Sequence, residues 1–485
     1  MPNYQMWIGG KWVEAQSGKT YAVVNPATEE KIAEVPLGGK ADVDQAVLAA
    51  RNAFPLWSEK TQAERCQILN RIAAAIREHS REFNEIETLD HGTPISKSSF
   101  WTLESAQRFE YAAEISRTLM GAVIPSREKV FSFTQLEPIG VCALITPWNV
   151  PLLMIATKLA PALAMGNTCI VKPPSIDSLS ALKLAEILDT LDLPAGTVNI
   201  ITGPGGDVGD YLASHPGVQK VGFIGSCETG KSIMSSAGRT VKRVSLELGG
   251  KNPFIVLKDA DIDAAVDGGI FSSFFNSGMI CASPGRYYVD ENVYDEFVRK
   301  MSQAASKIIV GDPFNAGTQM GPLVSAEHRE KVESYIQSGI NEGARLVLGG
   351  QRLSRKGYFL TPTIFADVTL NMKIAQEEIF GPVACILKFS SEEKVIQDAN
   401  NTPFGLCASV WSRDLARALR IANEIQAGEV WINEHLILSP ELPWGGFKES
   451  GIGKDNSIYA LEEFSQRKAV YIDLSPEAVK PWHAL

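Results

Sequence analysis

The sequence predicts an α/β protein: a doubly wound parallel sheet, a second α/β unit after it, and a small projecting β element. Three observations carry the prediction. Between residues 139 and 249, short apolar strands alternate with helices, which calls for a parallel sheet covered on both faces. From Pro253 to about Gly446 a second α/β stretch follows. Residues 130–136 alternate in the strand manner and residues 466–474 read as a final strand, so the two are candidates to pair with each other or with another subunit.

The elements follow in order. Residues 7–13 have strand character around the turn Gly9-Gly10. A long helix is expected from Asp42, because Val43, Ala46, Val47, Ala50 and Phe54 fall at helical spacing. Residues 62–90 and 100–118 read as two further amphipathic helices. Strand 141–145 then precedes helix 152–164, strand 168–171 helix 178–190, strand 197–202 helix 208–214, and strand 220–223 helix 229–237. Such sheets bind ligands at the carboxyl ends of their strands. The second stretch holds a strand at 252–256, helices near 262–276 and 291–306, a strand at 384–389 and a glycine-rich loop at 443–453.

Composition bounds the function. A chain of 485 residues suggests roughly three domains at about 150 residues each. Its 45% hydrophobic and 21% charged residues are those of a globular protein, which argues against disorder of the whole. Acidic residues outnumber basic ones, 56 to 46, and there is no long basic run, so no nucleic-acid partner is expected. Seven cysteines without a C-x-x-C pair argue against a zinc ribbon or a secreted disulfide scaffold, and for a reducing, cytoplasmic location. Six scattered histidines predict no metal site. The first four residues do not open a secretory leader. Residues 138–157 are uncharged over about the length of a membrane span, but Pro138, Pro147, Asn149 and Pro151 make a strand, a turn and a helix start the better reading, and no membrane association is expected.

Four segments carry chemistry. In Thr146-Pro147-Trp148-Asn149-Val150-Pro151, prolines fix the backbone around Asn149, whose amide can donate to a developing oxyanion; the plainer alternative is a helix N-cap. Lys172, in Val171-Lys172-Pro173-Pro174-Ser175, suits a ribose hydroxyl or a phosphate, or is simply solvated. Gly203, Gly205, Gly206 and Gly209 follow one strand, and Phe223-Ile224-Gly225-Ser226 the next. They miss the G-x-G-x-x-G spacing but suit a phosphate at a helix N-terminus. Finally, Cys281 follows Gly278-Met279-Ile280 and is a candidate nucleophile, expected to need a helix N-terminus or dipole that lowers its pKa; a lone cysteine is otherwise a small core residue.

In order, T-P-W-N at 146–149, K-P at 172–173, F-x-G-S at 223–226, E-L-G-G-K at 247–251, G-x-x-C at 278–281 and E-E-I-F-G-P at 377–382 span nearly the whole chain. Together they closely resemble the aldehyde dehydrogenase superfamily, nearest its aminoaldehyde and aromatic-aldehyde branch. The resemblance implies a Rossmann-like cofactor domain of residues 1–117 and 139–249, a catalytic domain of 250–449, and oligomerisation segments at 118–138 and 465–485. It implies Cys281 as nucleophile, Glu247 as the base that activates water, and Asn149 with the Cys281 backbone N–H as oxyanion holders. Cofactor positions carried over in the same way are Ile145, Trp148, Lys172, Ser175, Gly205, Phe223, Gly225, Ser226, Leu248, Glu378 and Phe380.

The chain departs from the family pattern at several places. Many NAD-preferring members carry glutamate where this chain has Ser175; without that carboxylate a 2′-phosphate is not repelled, so NADP is expected to be tolerated alongside NAD. Ile224 and Cys227 replace the threonines of F-T-G-S-T, and Met279 replaces a common glutamine. The resemblance places Val150, Met154, Thr157, Ile280, Ala282, His435, Leu436 and Trp444 around the substrate, a small-molecule aldehyde. Val150 and Thr157 stand where aromatics are common, which favours a bulky neutral or aromatic aldehyde. Trp444 resembles the aminoaldehyde members, with Glu434 or Glu441 completing a cation site. A homodimer or homotetramer is expected. A CoA-acylating relative is opposed by Glu247, and a non-catalytic protein on the same fold by Cys281, Glu247 and Asn149 together.

Overall fold

The computed structural model describes residues 4–475; residues 1–3 and 476–485, and with them the end of the 465–485 segment, lie outside it. Two sheets organise the chain. The first has eight strands in the order Gly451–Ile452, Arg243–Glu247, Lys220–Ile224, Val141–Ile145, Thr168–Lys172, Val198–Ile200, Met6–Ile8, Lys11–Val13. The five in its middle are parallel. Val141–Ile145, Thr168–Lys172 and Lys220–Ile224 are buried along their whole length, as strands covered by helices on both faces must be. The hairpin at Gly9-Gly10 closes one edge.

The second sheet has seven strands in the order Arg345–Leu348, Thr363–Ala366, Val383–Phe389, Pro284–Asp290, Asn252–Val256, Cys407–Trp411, Glu429–Ile432, parallel except for its first pair. All of these strands lie inside residues 250–449. Ser465–Asp473 pairs antiparallel with Val130–Pro138 of the same chain, from Ser465 opposite Pro138 to Asp473 opposite Val130. The outer surface of this ribbon leaves Phe131, Tyr471 and Ile472 exposed.

Two helical readings need correction. Residues 62–90 form two helices, Gln62–Glu78 and Ser80–Asp90, because His79 leaves helical geometry at ψ 17° and serves as cap to both. The next helix begins earlier than residue 100, at Ile95, straight after Pro94, where proline's fixed φ suits a helix entry. Among the described residues, no helix is long and apolar enough to cross a membrane, and no group of three or more His, Cys, Asp or Glu is placed to hold a metal ion.

Candidate active site

The carboxyl ends of the first sheet face the second unit across a cavity of about 310 Å³. Asn149, Glu247 and Cys281 all line it, brought from three distant parts of the chain. Val150, Met154, Thr157, Ile280, Ala282, Leu436 and Trp444 line it as well. His435 does not. It is fully buried behind the wall, where its Nε2–H donates to the Ala282 carbonyl at 2.8 Å and its Nδ1 accepts from Ser409 Oγ at 3.0 Å. Burial drives its pKa down to about 4, so it stays neutral and supports the loop after Cys281.

Cys281 sits on a strained loop. Helix Ile262–Phe274 ends in a short turn in which Asn276 and Ser277 take φ of 51° and 56°, and Gly278 follows at 70°. Non-glycine residues at such angles cost on the order of 1 kcal/mol or more each and persist only where their surroundings fix them. Here Ser277 Oγ donates to the Gly321 carbonyl at 2.9 Å, and a Cβ on Gly278 would stand 2.3 Å from the Gly381 carbonyl oxygen. Asn252 donates its amide to the carbonyls of Cys281 and Ser283, at 2.8 and 2.9 Å. The loop therefore presents the thiol from a fixed backbone. The expectation of a lowered thiol pKa is corrected: enclosure first, then the Glu378 and Glu247 carboxylates, push it up to about 12.

Asn149 is not the helix cap. Val150 takes that place before helix Pro151–Ala164 and makes no side-chain cap bond. Instead, Asn149 Nδ2 donates to the Met279 carbonyl at 3.0 Å. A primary amide has two N–H donors, so one is spent on the nucleophile's loop and the other is left for a ligand. Its backbone carbonyl accepts from Asn276 Nδ2 at 2.8 Å. Asn276 Oδ1 accepts from Thr93 Oγ1 at 3.0 Å, which pairs in turn with His91 Nδ1 at 2.7 Å. His91 and Thr93 went unseen in the sequence, where nothing marks a loop some 180 residues away as a support for Asn276.

Glu247 ends the strand Arg243–Glu247, whose two charged residues mask its buried end in the sequence pattern. The side chain is buried, and neither carboxylate oxygen has a hydrogen-bond partner among the described residues. Burial, then Asp455, raise its pKa well above the ordinary range. Gly445 is required opposite it: at φ 149°, an added Cβ would meet Glu247 Oε1 at 2.6 Å. Behind lies a buried ion pair, Lys158 Nζ to Asp455 Oδ1 at 2.8 Å, also unmarked in the sequence.

The other end of the cavity suits a dinucleotide. Trp148, Gly225, Ser226, Leu248, Glu378 and Phe380 are in its wall. Ile145, Lys172, Ser175, Gly205 and Phe223 lie beyond it, at or just past the carboxyl ends of neighbouring strands. Ser226 caps helix Cys227–Gly238, whose amino end gives free N–H groups for a phosphate. Gly205 is open, with nothing within 4 Å of where a Cβ would be. Lys172 is buried, and burial alone lowers its pKa to about 8. Ser175 Oγ donates to the Gly203 carbonyl at 2.8 Å. Trp148 meets Phe380 edge-on at 5.3 Å and His328, another residue the sequence did not mark, at 5.0 Å. Glu378 accepts from the Gly250 N–H at 3.1 Å, and enclosure lifts its pKa to about 7. Cys227, at the start of its helix, donates its thiol to the Glu449 carbonyl at 3.3 Å.

Neither acidic candidate for a cation site reaches the cavity. Glu434 bonds the neighbouring His435 N–H at 2.8 Å, and Glu441 bonds Ser439 on the exterior. That part of the aminoaldehyde expectation is corrected.

This architecture has close counterparts. The model of the Aldehyde dehydrogenase family matches residues 12–470. Retinaldehyde dehydrogenase 3 of Mus musculus is 45% identical over 475 residues, covering 97% of this chain and 93% of that protein. Betaine aldehyde dehydrogenase of Bacillus subtilis (strain 168) is 41% identical over 485 residues, 98% of each. A crystal structure of betaine aldehyde dehydrogenase from Staphylococcus aureus in complex with NAD+ superposes with a TM-score of 0.97 at 38% identity, over 99% of this chain and 97% of that one. With a thiol, an amide and a buried carboxylate converging beside a dinucleotide-shaped end, the chain belongs to the aldehyde dehydrogenase family and is an NAD(P)-dependent oxidoreductase of aldehydes.

Proposed function

We propose that the protein is a non-acylating aldehyde dehydrogenase in which Cys281, Asn149 and Glu247 carry the reaction, that it uses NAD and tolerates NADP, and that its substrate is a bulky aldehyde. The observation that supports this most is the meeting of those three side chains in one cavity. The Cys281 sulfur adds to the aldehyde carbon, forming an S–C bond as the thiol loses its proton. Glu247 is the base on the facing wall; burial raises its pKa, so it acts once its carboxyl has given up its own proton. The free N–H of Asn149 holds the oxygen of the thiohemiacetal. The nicotinamide, when bound, supplies the acceptor for the hydride that leaves this carbon. With that first proton released to solvent, Glu247 takes a proton from water as it adds to the thioester and passes it to the Cys281 sulfur as the C–S bond breaks and the acid departs.

Ser175 and Lys172 support NADP tolerance: the first removes a repelling carboxylate, the second offers a positive charge. Small Val150 and Thr157 support a wide pocket, and both mainly apolar neighbours and Trp444 favour a ring or long chain. The exposed ribbon of Val130–Pro138 and Ser465–Asp473 supports assembly into a homodimer or homotetramer through its free edges. Seven free thiols suit a cytoplasmic location.

The test is reduced-nicotinamide formation with NAD and NADP side by side over aliphatic, aromatic and amino-substituted aldehydes. Turnover is expected without CoA and is lost in Cys281→Ser. Absolute dependence on CoA would reassign the chemistry to acyl transfer. Retained turnover in Cys281→Ser would remove the nucleophile.

A further inference from the structure

We propose that Arg108 is a specificity residue that receives an anionic oxygen group, in the first place a carboxylate, on the substrate, so that the preferred aldehyde carries a second, acidic function. This rests on the aldehyde-oxidising reading above and narrows its substrate class. Arg108 lies on helix Ile95–Ser116, seven residues after Trp101, so both reach the same helix face, and both line the catalytic cavity. Only 6% of the residue is exposed. Its Nε and Nη1 have no hydrogen-bond partner among the described residues. A buried guanidinium with two unmet donors is costly to hold unless a ligand meets them.

The surroundings point the same way. Thr157 lines the same cavity as Arg108, and its hydroxyl is already spent on the Leu153 carbonyl at 2.8 Å. Nearby, the Asn456 Oδ1 atom is also buried without a partner. Three carboxyls face the guanidinium: Glu104 at 3.4 Å from Nη2, and more distantly Asp455 and Glu441. Asp455 is held by Lys158, and Glu441 by Ser439. Glu104 meets only Nη2, and burial raises its carboxyl while Arg108 itself lowers it. The rest of this wall is apolar, with Trp101, Leu153 and Leu438. A planar fork of donors in an apolar wall fits a carboxylate in a way that an ammonium-bearing aldehyde cannot match.

The experiment compares 3- and 4-carboxybenzaldehyde with their methyl esters and with benzaldehyde, in the intact enzyme, Arg108→Met and Glu104→Gln. The intact enzyme is expected to favour at least one acid over its ester by about tenfold or more in kcat/KM, the span of one charge-assisted hydrogen bond. Arg108→Met should abolish that ratio, the loss falling on KM for the acid. Glu104→Gln, which frees Arg108, should lower the KM of the acid and leave that of the ester. Esters preferred by the intact enzyme, or ratios unmoved by both variants, would overturn the proposal. If Arg108→Met does not fold, the direction of the Glu104→Gln shift decides alone. Oxidation of benzaldehyde and the esters without preference for an acid sinks only the role of Arg108. No oxidation of any aldehyde sinks the reading beneath it.

Discussion

The two walls of the cavity are built on opposite rules. On the Asn149 wall a continuous chain of hydrogen bonds runs from His91 Nδ1–H to Thr93, Thr93 to Asn276, Asn276 to the Asn149 carbonyl, and the Asn149 amide to the Met279 carbonyl, with His91 Nε2 alone of these groups buried without a partner among the described residues. On the Glu247 wall both oxygens of Glu247, Oδ2 of Asp455 and Oδ1 of Asn456 are buried without partners among the described residues. A wall joined by such a chain cannot move without breaking hydrogen bonds and so keeps geometry. An unsaturated wall holds groups whose protons can come and go. The difference teaches where precision and where reactivity are stored, and variants at each wall should fail differently.

The largest effect should come from the group between the walls. Cys281→Ser is expected to lower turnover on the order of 10⁴-fold, as loss of a nucleophile does, measured as reduced-nicotinamide formation in the steady state. Glu247→Gln comes next, with a loss of about 10²- to 10⁴-fold for a base. Its signature is selective. If the reactive wall serves the water step, one equivalent of reduced nicotinamide per site should appear in a burst before turnover stalls, provided the thiol still adds. A uniform slowing with no burst would place Glu247 in the first step alone. Asn149→Ala should cost about 10²- to 10³-fold, the usual value of one oxyanion donor. That loss should be carried in kcat, with cofactor affinity retained.

The resting thiol sharpens the contrast further. With its pKa pushed up to about 12, Cys281 is protonated across the physiological range. Below that value the thiolate fraction rises about tenfold per pH unit. Alkylation of the ligand-free enzyme by iodoacetamide should therefore accelerate steadily from pH 7 to pH 10. A rate that levels off near neutrality would mean the thiol is activated in the resting protein, and that the Glu247 wall is not needed to take its proton.

The sequence exposed the three converging residues and their supports unequally. Asn149, Glu247 and Cys281 each sit in a compact motif, and the alternating strands of residues 139–249 announce the sheet that carries two of them. Their supports are legible only in three dimensions. His91, Thr93, Lys158 and Asp455 are polar residues in stretches that read as ordinary helix or loop, and their roles come from contacts 180 to 300 residues away, as in the 297-residue separation of Lys158 and Asp455. His435 shows the reverse case. Its place beside Leu436 predicts a pocket residue, while burial against Ala282 and Ser409 turns it away from the cavity. The strand ending at Glu247 was hidden because Arg243 and Glu247 bracket only three other residues, too few for a periodic signal.

The smallest effect tests the hydrogen-bonded wall at its far end. Thr93→Val keeps the shape of the side chain but removes both the donor to Asn276 Oδ1 and the acceptor for His91 Nδ1–H. Two buried polar atoms then lack partners, at about 1–3 kcal/mol each at most. Part of that cost falls on stability, as a lowered Tm. The rest should appear in kcat, because Asn276 no longer fixes the Asn149 backbone and the amide loses its aim. A fall of about tenfold in kcat is expected, in line with one such hydrogen bond, while KM for the aldehyde stays near its original value. Thr93→Ser restores the hydroxyl without the methyl group and should recover most of kcat even if some stability stays lost. Recovery of both together, or a Val variant that loses Tm but keeps full kcat, would mean the chain from His91 to Asn149 holds the fold and does not aim the amide.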